Sequence, residues 1–291
     1  MKLNFAPIIP GDPVTAYRDP ACYYDGHTFF LFMTVSVLKD GFLLNRIGLS
    51  ESTDLIHWTQ PRCLTEENRD LNFSSPGNIL KTAQGYSICI CSYPMPFPWE
   101  ERPYASEDAR LYCLNTPDFV HFSVPELIYP KGETEIGAMG RMIDPYMFVD
   151  KETESLYHLF FKQNGVSHSV SADRVNWTYL GRTDGGENAC VIVKDGLYHL
   201  FHSPEDGIGH KTSPDLVHWT DEGVHFLDRE HWDWASGRLT AGFVMEAPSW
   251  CAHRYLLFFH GSRKDASPET HGAASIALAY TDDFQSYYYK G

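Results

Sequence analysis

The chain has 291 residues and a formal net charge of −15, from 23 basic and 38 acidic side chains. That balance repels phosphate backbones and anionic lipid surfaces, so neither nucleic acid nor a membrane is expected as a partner. Hydrophobic residues make up 43% and aromatics 14%, with 18 Phe and 17 Tyr, which suits a large β-rich core in a single domain over residues 1–291.

The opening MKLNFAPIIPGDP holds one Lys and no apolar run of signal-peptide length before Pro7 and Pro10. No later stretch reaches membrane-spanning length, and the chain reads as cytoplasmic. Its seven cysteines are odd in number and include no C-x-x-C pair, so neither disulfides nor a zinc site is expected. Cys89 and Cys91 alternate within an apolar run and read as packing on one face of a strand.

In chain order, one unit recurs. The first opens at Arg18-Asp19-Pro20, continues through ACYYDGHTFFLFM with a hairpin turn at Asp25-Gly26, and ends at Asp54-Leu55-Ile56-His57-Trp58. The second opens at Ser75-Pro76, runs through GNILKTAQGYSICI and reaches Asp118-Phe119-Val120-His121-Phe122. The third opens at Ile143-Asp144-Pro145, passes YMFVDKETESLYHLFF and reaches Asp173-Arg174-Val175-Asn176-Trp177. The fourth opens at Glu187-Asn188-Ala189, passes CVIVKDGLYHLFHS with a turn at Asp195-Gly196, and reaches Asp215-Leu216-Val217-His218-Trp219. The fifth is read as opening at Glu246-Ala247-Pro248, before SWCAHRYLLFFHG, and closes at Asp283-Phe284-Gln285-Ser286-Tyr287.

In every unit the aromatic stands four residues after the Asp, and Ser or Thr usually lies just ahead of it. This is turn chemistry leading into a strand that starts with an aromatic. A hairpin, a turn and a further strand give about four strands per unit, so the chain is expected to be all-β, a five-bladed β-propeller with four antiparallel strands per blade. A β-sandwich would need the same spacing five times by coincidence. Trp58, Trp177 and Trp219 belong to the repeat and read as core, and loops 95–110 and 228–240 leave room for a turn or two of helix.

The inner strand of each propeller blade lines the central channel, so residues at the inner-strand starts converge. Carboxylates gathered there repel one another and shift their pKa values, an arrangement that glycoside hydrolysis requires. One carboxylate activates water or attacks carbon, and another gives a proton to the leaving oxygen. Asp-Pro is also an ordinary strand-start signal, but Asp19 and Asp144 occupy matching repeat positions.

On these motifs the chain resembles glycoside hydrolase family 43 and its five-bladed relatives, families 32, 117 and 130. The resemblance runs through the blade order of the whole chain. It implies Asp19 as general base, Asp144 as the carboxylate that tunes the acid, and Glu187 as general acid, with inversion at the anomeric carbon. The family commonly carries Glu-x-Pro at the acid, a pattern that Glu246-Ala247-Pro248 fits better than Glu187-Asn188-Ala189. Blade order favours Glu187, and Glu246 is then a sugar-binding residue. The Arg18-Asp19-Pro20 triplet also resembles a motif of family 32, whose enzymes retain configuration. Strand alternation points Arg18 away from Asp19, although it remains a substrate-binding candidate.

Further substrate-binding candidates are His168 and His210, at matching places in units three and four, Trp232 and Trp250 as sugar platforms alongside Trp99 and Trp234, and Arg238. Relatives hold a cation in the channel, but no oxygen-rich calcium motif is visible, and neither metal nor cofactor is expected. The expected partner is an oligosaccharide such as an arabinofuranoside, xyloside or galactoside. Two rival readings are a phosphorylase that places phosphate on Arg238, Arg254, Arg263 and Lys264, and a propeller that only binds sugar.

Overall fold

The computed structural model describes residues 5–101, 106–266 and 272–289. Among these, the chain forms five four-stranded antiparallel sheets, each built from consecutive strands in sequence order, the arrangement of a five-bladed propeller. The first strands of the sheets are Thr15–Tyr24, Ile79–Thr82, Ile143–Val149, Glu187–Lys194 and Leu239–Glu246. Among the described residues helix is limited to three 3-10 turns, two of them in the 228–240 loop.

The repeated Asp is a turn cap. Asp54 Oδ1 accepts the backbone N–H groups of Ile56 and His57, both at 2.8 Å. Asp118, Asp173, Asp215 and Asp283 each do the same for the second and third residues after them. The residue after each Asp is left-handed, from Phe119 at φ 59° to Leu55 at 64°, and the Ser or Thr hydroxyl ahead accepts its N–H. The turn therefore joins the third strand of each blade to the fourth and sets the following aromatic against the neighbouring sheet.

Closure comes from the N-terminal segment. Ile9 bridges to Ile276 on the third strand of blade five, and Tyr17 N–H donates to Ala274 O at 2.8 Å. Phe5 packs on Trp232, Phe259 and Tyr289, with the Trp232 ring 4.6 Å away. The start of the chain is thereby tied to its last blade.

The fifth opening departs from the sequence reading. Glu246-Ala247-Pro248 is the end of the inner strand of blade five, whose start lies at Leu239–Thr240–Ala241. The Pro there serves the turn between the first and second strands, so the tripeptide marks the far end of the inner strand and not its opening.

Polar side chains are also buried between blades. His158 bonds His168 at 2.8 Å and Asp150 at 3.1 Å, while His199 bonds His210 at 3.0 Å, and His210 stacks on Phe201. His168 and His210 are thus packing residues within blades three and four, and neither lines the central cavity. Burial holds both near pKa 3, well below the ordinary histidine value. The unfolded chain binds their protons near pH 6.5 and the folded chain does not, so stability is full above that pH and falls as pH drops toward 3. At pH 5 the loss is about 2 kcal/mol per histidine. Urea midpoints at pH 7.5 and pH 5 should therefore differ widely in the native protein and less in His210→Phe. An unchanged pH slope in the variant would overturn this account.

Candidate active site

The five inner strands share a backbone device at their starts. Asp19, Ser75, Asp144, Asn188 and Ala241 all have φ between 49° and 54°, the left-handed region that non-glycine residues seldom adopt. Register shifts accompany it in blades one, three, four and five, between Arg18 and Ala21, Ile143 and Tyr146, Glu187 and Cys190, and Thr240 and Phe243. Such strain repeated in every blade is held by the fold and turns these side chains toward the axis. Gly77 follows the second of these kinks and lies so close to the Pro145 carbonyl that no Cβ fits there.

The same kink corrects the reading of Arg18. Alternation breaks at the bulge, so Arg18 stays on the cavity side, with its guanidinium 3.6 Å from Asp19 Oδ2 and bonded to Ser36 Oγ at 3.3 Å. In blade four the residue equivalent to Asp19 and Asp144 is Asn188, and Glu187 stands one position earlier, where blade one has Arg18.

A cavity of about 560 Å³ sits over this ring, lined by Asp19, Asp144, Glu187, Arg18, Arg238 and Tyr93 among others. Asn188 links the carboxylates: its side-chain amide donates to Asp19 Oδ1 at 3.2 Å and its backbone N–H to Asp144 Oδ2 at 3.3 Å. Ser203 Oγ fixes that amide by donating to Asn188 Oδ1 at 3.0 Å. Asp19 Oδ2 accepts from Thr34 Oγ1 at 2.8 Å, and the Asp19 N–H donates to His260 Nδ1 at 3.1 Å.

The two buried aspartates are driven apart. Burial pushes Asp19 up, but the Arg18 charge, His260 and the hydrogen bonds from Thr34 and Asn188 outweigh it and hold the carboxyl below its usual range. His260 is itself kept near pKa 3 by burial, so at neutral pH Arg18 is the charge that acts on Asp19. Asp144 is raised to about 7, first by burial and then by the negative charges of Glu187 and Asp19. Around neutrality Asp19 is ionised while Asp144 is divided between its two forms. Glu187 is more open, with its side chain 37% exposed and Arg238 3.6 Å from its carboxylate.

Other expected site residues lie elsewhere. Glu246 is exposed and lines a separate cleft with Pro248 and Arg254 at the far end of its strand. Trp232 is buried against Phe5 and Trp234, because it packs the N-terminal closure. Trp250 is half exposed beside Tyr24 and Phe29 and does not reach the cavity. Trp99 is buried behind the wall with Leu43 and Met95. The aromatic that lines the cavity is Tyr93, whose hydroxyl accepts from Arg141 at 3.3 Å.

Sequence reading missed Tyr93, Arg141, Asn188 and His260. Only Asn188 carried a signal, its alignment with Asp19 and Asp144 at the blade openings. No group of three or more His, Cys, Asp or Glu among the described residues is placed to hold a metal ion.

No protein-family profile and no curated protein sequence matches the chain. Solved structures do share its fold. A thermostable family-43 glycoside hydrolase is 14% identical, with 97% of this chain and 96% of that one covered and a TM-score of 0.63. A family 117 glycoside hydrolase from Zobellia galactanivorans is also 14% identical, covering 92% and 84%, with a TM-score of 0.65. The catalytic domain of a Coprinopsis cinerea GH62 α-L-arabinofuranosidase is 13% identical, covering 94% of each chain, with a TM-score of 0.67. The five-bladed fold expected from the sequence is thus the fold of these glycosidases.

Proposed function

We propose that this protein is a glycoside hydrolase that cleaves an oligosaccharide by carboxylate acid–base catalysis. The observation that carries the reading is the pair of buried aspartates with opposite pKa shifts beside Glu187, in one cavity at the propeller axis. Structures of the same fold include a β-xylosidase/α-arabinofuranosidase in complex with xylotriose, which supports a sugar as the ligand of such a cavity.

Asp19, ionised, takes a proton from water as the water oxygen bonds to the anomeric carbon. The glycosidic C–O bond breaks, and Glu187, which must carry a proton when the substrate reacts, gives it to the departing oxygen; solvent then takes the proton from Asp19 and returns one to Glu187. Asp144 is buried, and its charge state responds to both. Tyr93 is a half-buried aromatic on the cavity wall with the Arg141 guanidinium 5.4 Å from its ring centroid, and Asn188 holds the two aspartates in register.

The test is a panel of nitrophenyl glycosides and defined arabino-, xylo- and galacto-oligosaccharides, with product anomers followed by NMR. Hydrolysis with inverted configuration is expected, as for carboxyl groups about 6.5–9.5 Å apart with water between them. Retention would make Asp19 the nucleophile, and no cleavage of any glycoside would overturn the proposal.

A further inference from the structure

The cavity carries more positive charge than its catalytic carboxylates need. Arg18, Arg141, Arg238, Arg263 and Lys264 line it against Asp19, Asp144 and Glu187, within a chain whose net charge is −15. Arg18 is matched by Asp19 and Arg238 by Glu187, each at 3.6 Å, and Asp144 is only partly ionised near neutrality. Arg141 bonds the Tyr93 hydroxyl at 3.3 Å and is offset in part by the Asp144 and Glu187 charges, so it adds less to the excess than the rim cations do. Arg263 reaches Asp265 at 3.4 Å, but both side chains are at least half exposed, so that pair is weak.

Three of the cations come from one mouth. Leu239 pairs with Gly261 across the first two strands of blade five, which sets Arg238 beside Ser262 and the Arg263–Lys264 pair. Backbone bonds fix this mouth: Ser262 N–H donates to Arg238 O at 2.8 Å, and Gly237 N–H donates to Ser262 O at 2.8 Å. Lys264 N–H donates to Ser236 Oγ at 3.3 Å. The backbone is thus held where Arg238, Arg263 and Lys264 line the cavity, with the Arg238 guanidinium 3.6 Å from Glu187, the residue proposed to protonate the leaving group. Arg254, the fourth cation expected for an anion, lies in the distal cleft instead.

We infer that this rim is an oxyanion subsite, so that the ligand of the cavity includes a carboxylate, sulfate or phosphate group beside the scissile bond. Arg forks and a neighbouring Lys are the side chains that bind such groups, and a local positive field within an acidic protein draws anions to it. The group can come from two sources: an acidic substituent of the sugar itself, or free phosphate.

The inference rests on the glycosidase reading for the identity of the cavity, but its test is equilibrium binding, which does not require turnover. Calorimetry with D-glucuronate, D-glucose and inorganic phosphate is run on the native protein and on R263Q/K264Q at low and moderate salt. Both replaced side chains are exposed, and a thermal melt checks that the variant is folded. Glucuronate or phosphate should bind at least tenfold more tightly than glucose. The advantage should shrink with salt and collapse in the double variant. Preference for glucuronate with phosphate a weak competitor assigns the group to the sugar, and preference for phosphate assigns it to a free anion. Equal binding of glucose and both anions, no binding of any of them, or an advantage untouched by R263Q/K264Q overturns the subsite. Failure of hydrolysis in the glycoside panel with anion binding intact would count against the glycosidase reading alone.

Discussion

Asp19→Asn is expected to lower turnover by about 100-fold or more while the propeller stays folded, since general-base catalysis contributes on that scale. The carboxylate is ionised because Arg18 and the hydrogen bonds from Thr34 and Asn188 together overcome its burial. An amide keeps the shape but takes no proton. It also presents an NH₂ where both existing neighbours donate, Thr34 Oγ1 at 2.8 Å and Asn188 Nδ2 at 3.2 Å. Asn188 is itself pinned by Ser203, so the mismatch is not relieved without cost, about 1–3 kcal/mol for one unsatisfied buried group. A modest fall in melting temperature is therefore expected beside the large fall in rate. Steady-state kinetics and a thermal melt on the same preparation check both, and near-native activity in a folded variant removes Asp19 from the base role.

How far the sequence could be read depended on whether a residue's role was local. The Asp-to-aromatic repeat was legible because each Asp caps two N–H groups within three residues of itself, a geometry that short spacing encodes completely. Asp19 and Asp144 were legible because the inner-strand kink recurs at the same place in each blade. Blade five is not legible because its kink is Thr240-Ala241-Gly242, with neither carboxylate nor Pro, while Glu246-Ala247-Pro248 at the other end of that strand carries both. Tyr93, Arg141 and His260 reach the cavity from a loop, from the residues ahead of an inner strand and from a second strand, positions that no period marks. His168 and His210 did recur in matching places, but the shared feature was a buried histidine pair within each blade, a packing solution repeated along with the fold.

The structure also changes the contest over the general acid. Glu246 leaves it, because that side chain lies in another cleft, and Asp144 enters it, because a buried carboxyl raised to about 7 is one that keeps a proton. Protonation state alone would favour Asp144. Access favours Glu187: its side chain is 37% exposed on the cavity wall, whereas Asp144 is 6% exposed on the floor and holds the backbone N–H of Asn188. A leaving oxygen approaching from the open side meets Glu187 first, and the proton must be delivered within hydrogen-bond reach.

Glu187→Gln is therefore expected to lower hydrolysis of natural glycosides by about 100-fold or more while largely sparing an aryl glycoside whose leaving group departs without a proton. Asp144→Asn is expected to slow both substrates, because it alters the carboxyl coupled to both Asp19 and Glu187 and does not select between leaving groups. Removing the Glu187 charge also removes the second cause of the Asp144 shift, so in Glu187→Gln the Asp144 carboxyl should titrate below its native value of about 7. An NMR titration of labelled aspartate carboxyls follows this directly. Selective rescue of Asp144→Asn by the activated substrate, with Glu187→Gln equally slow on both, would transfer the proton donor to Asp144 and leave Glu187 as the partner of Arg238.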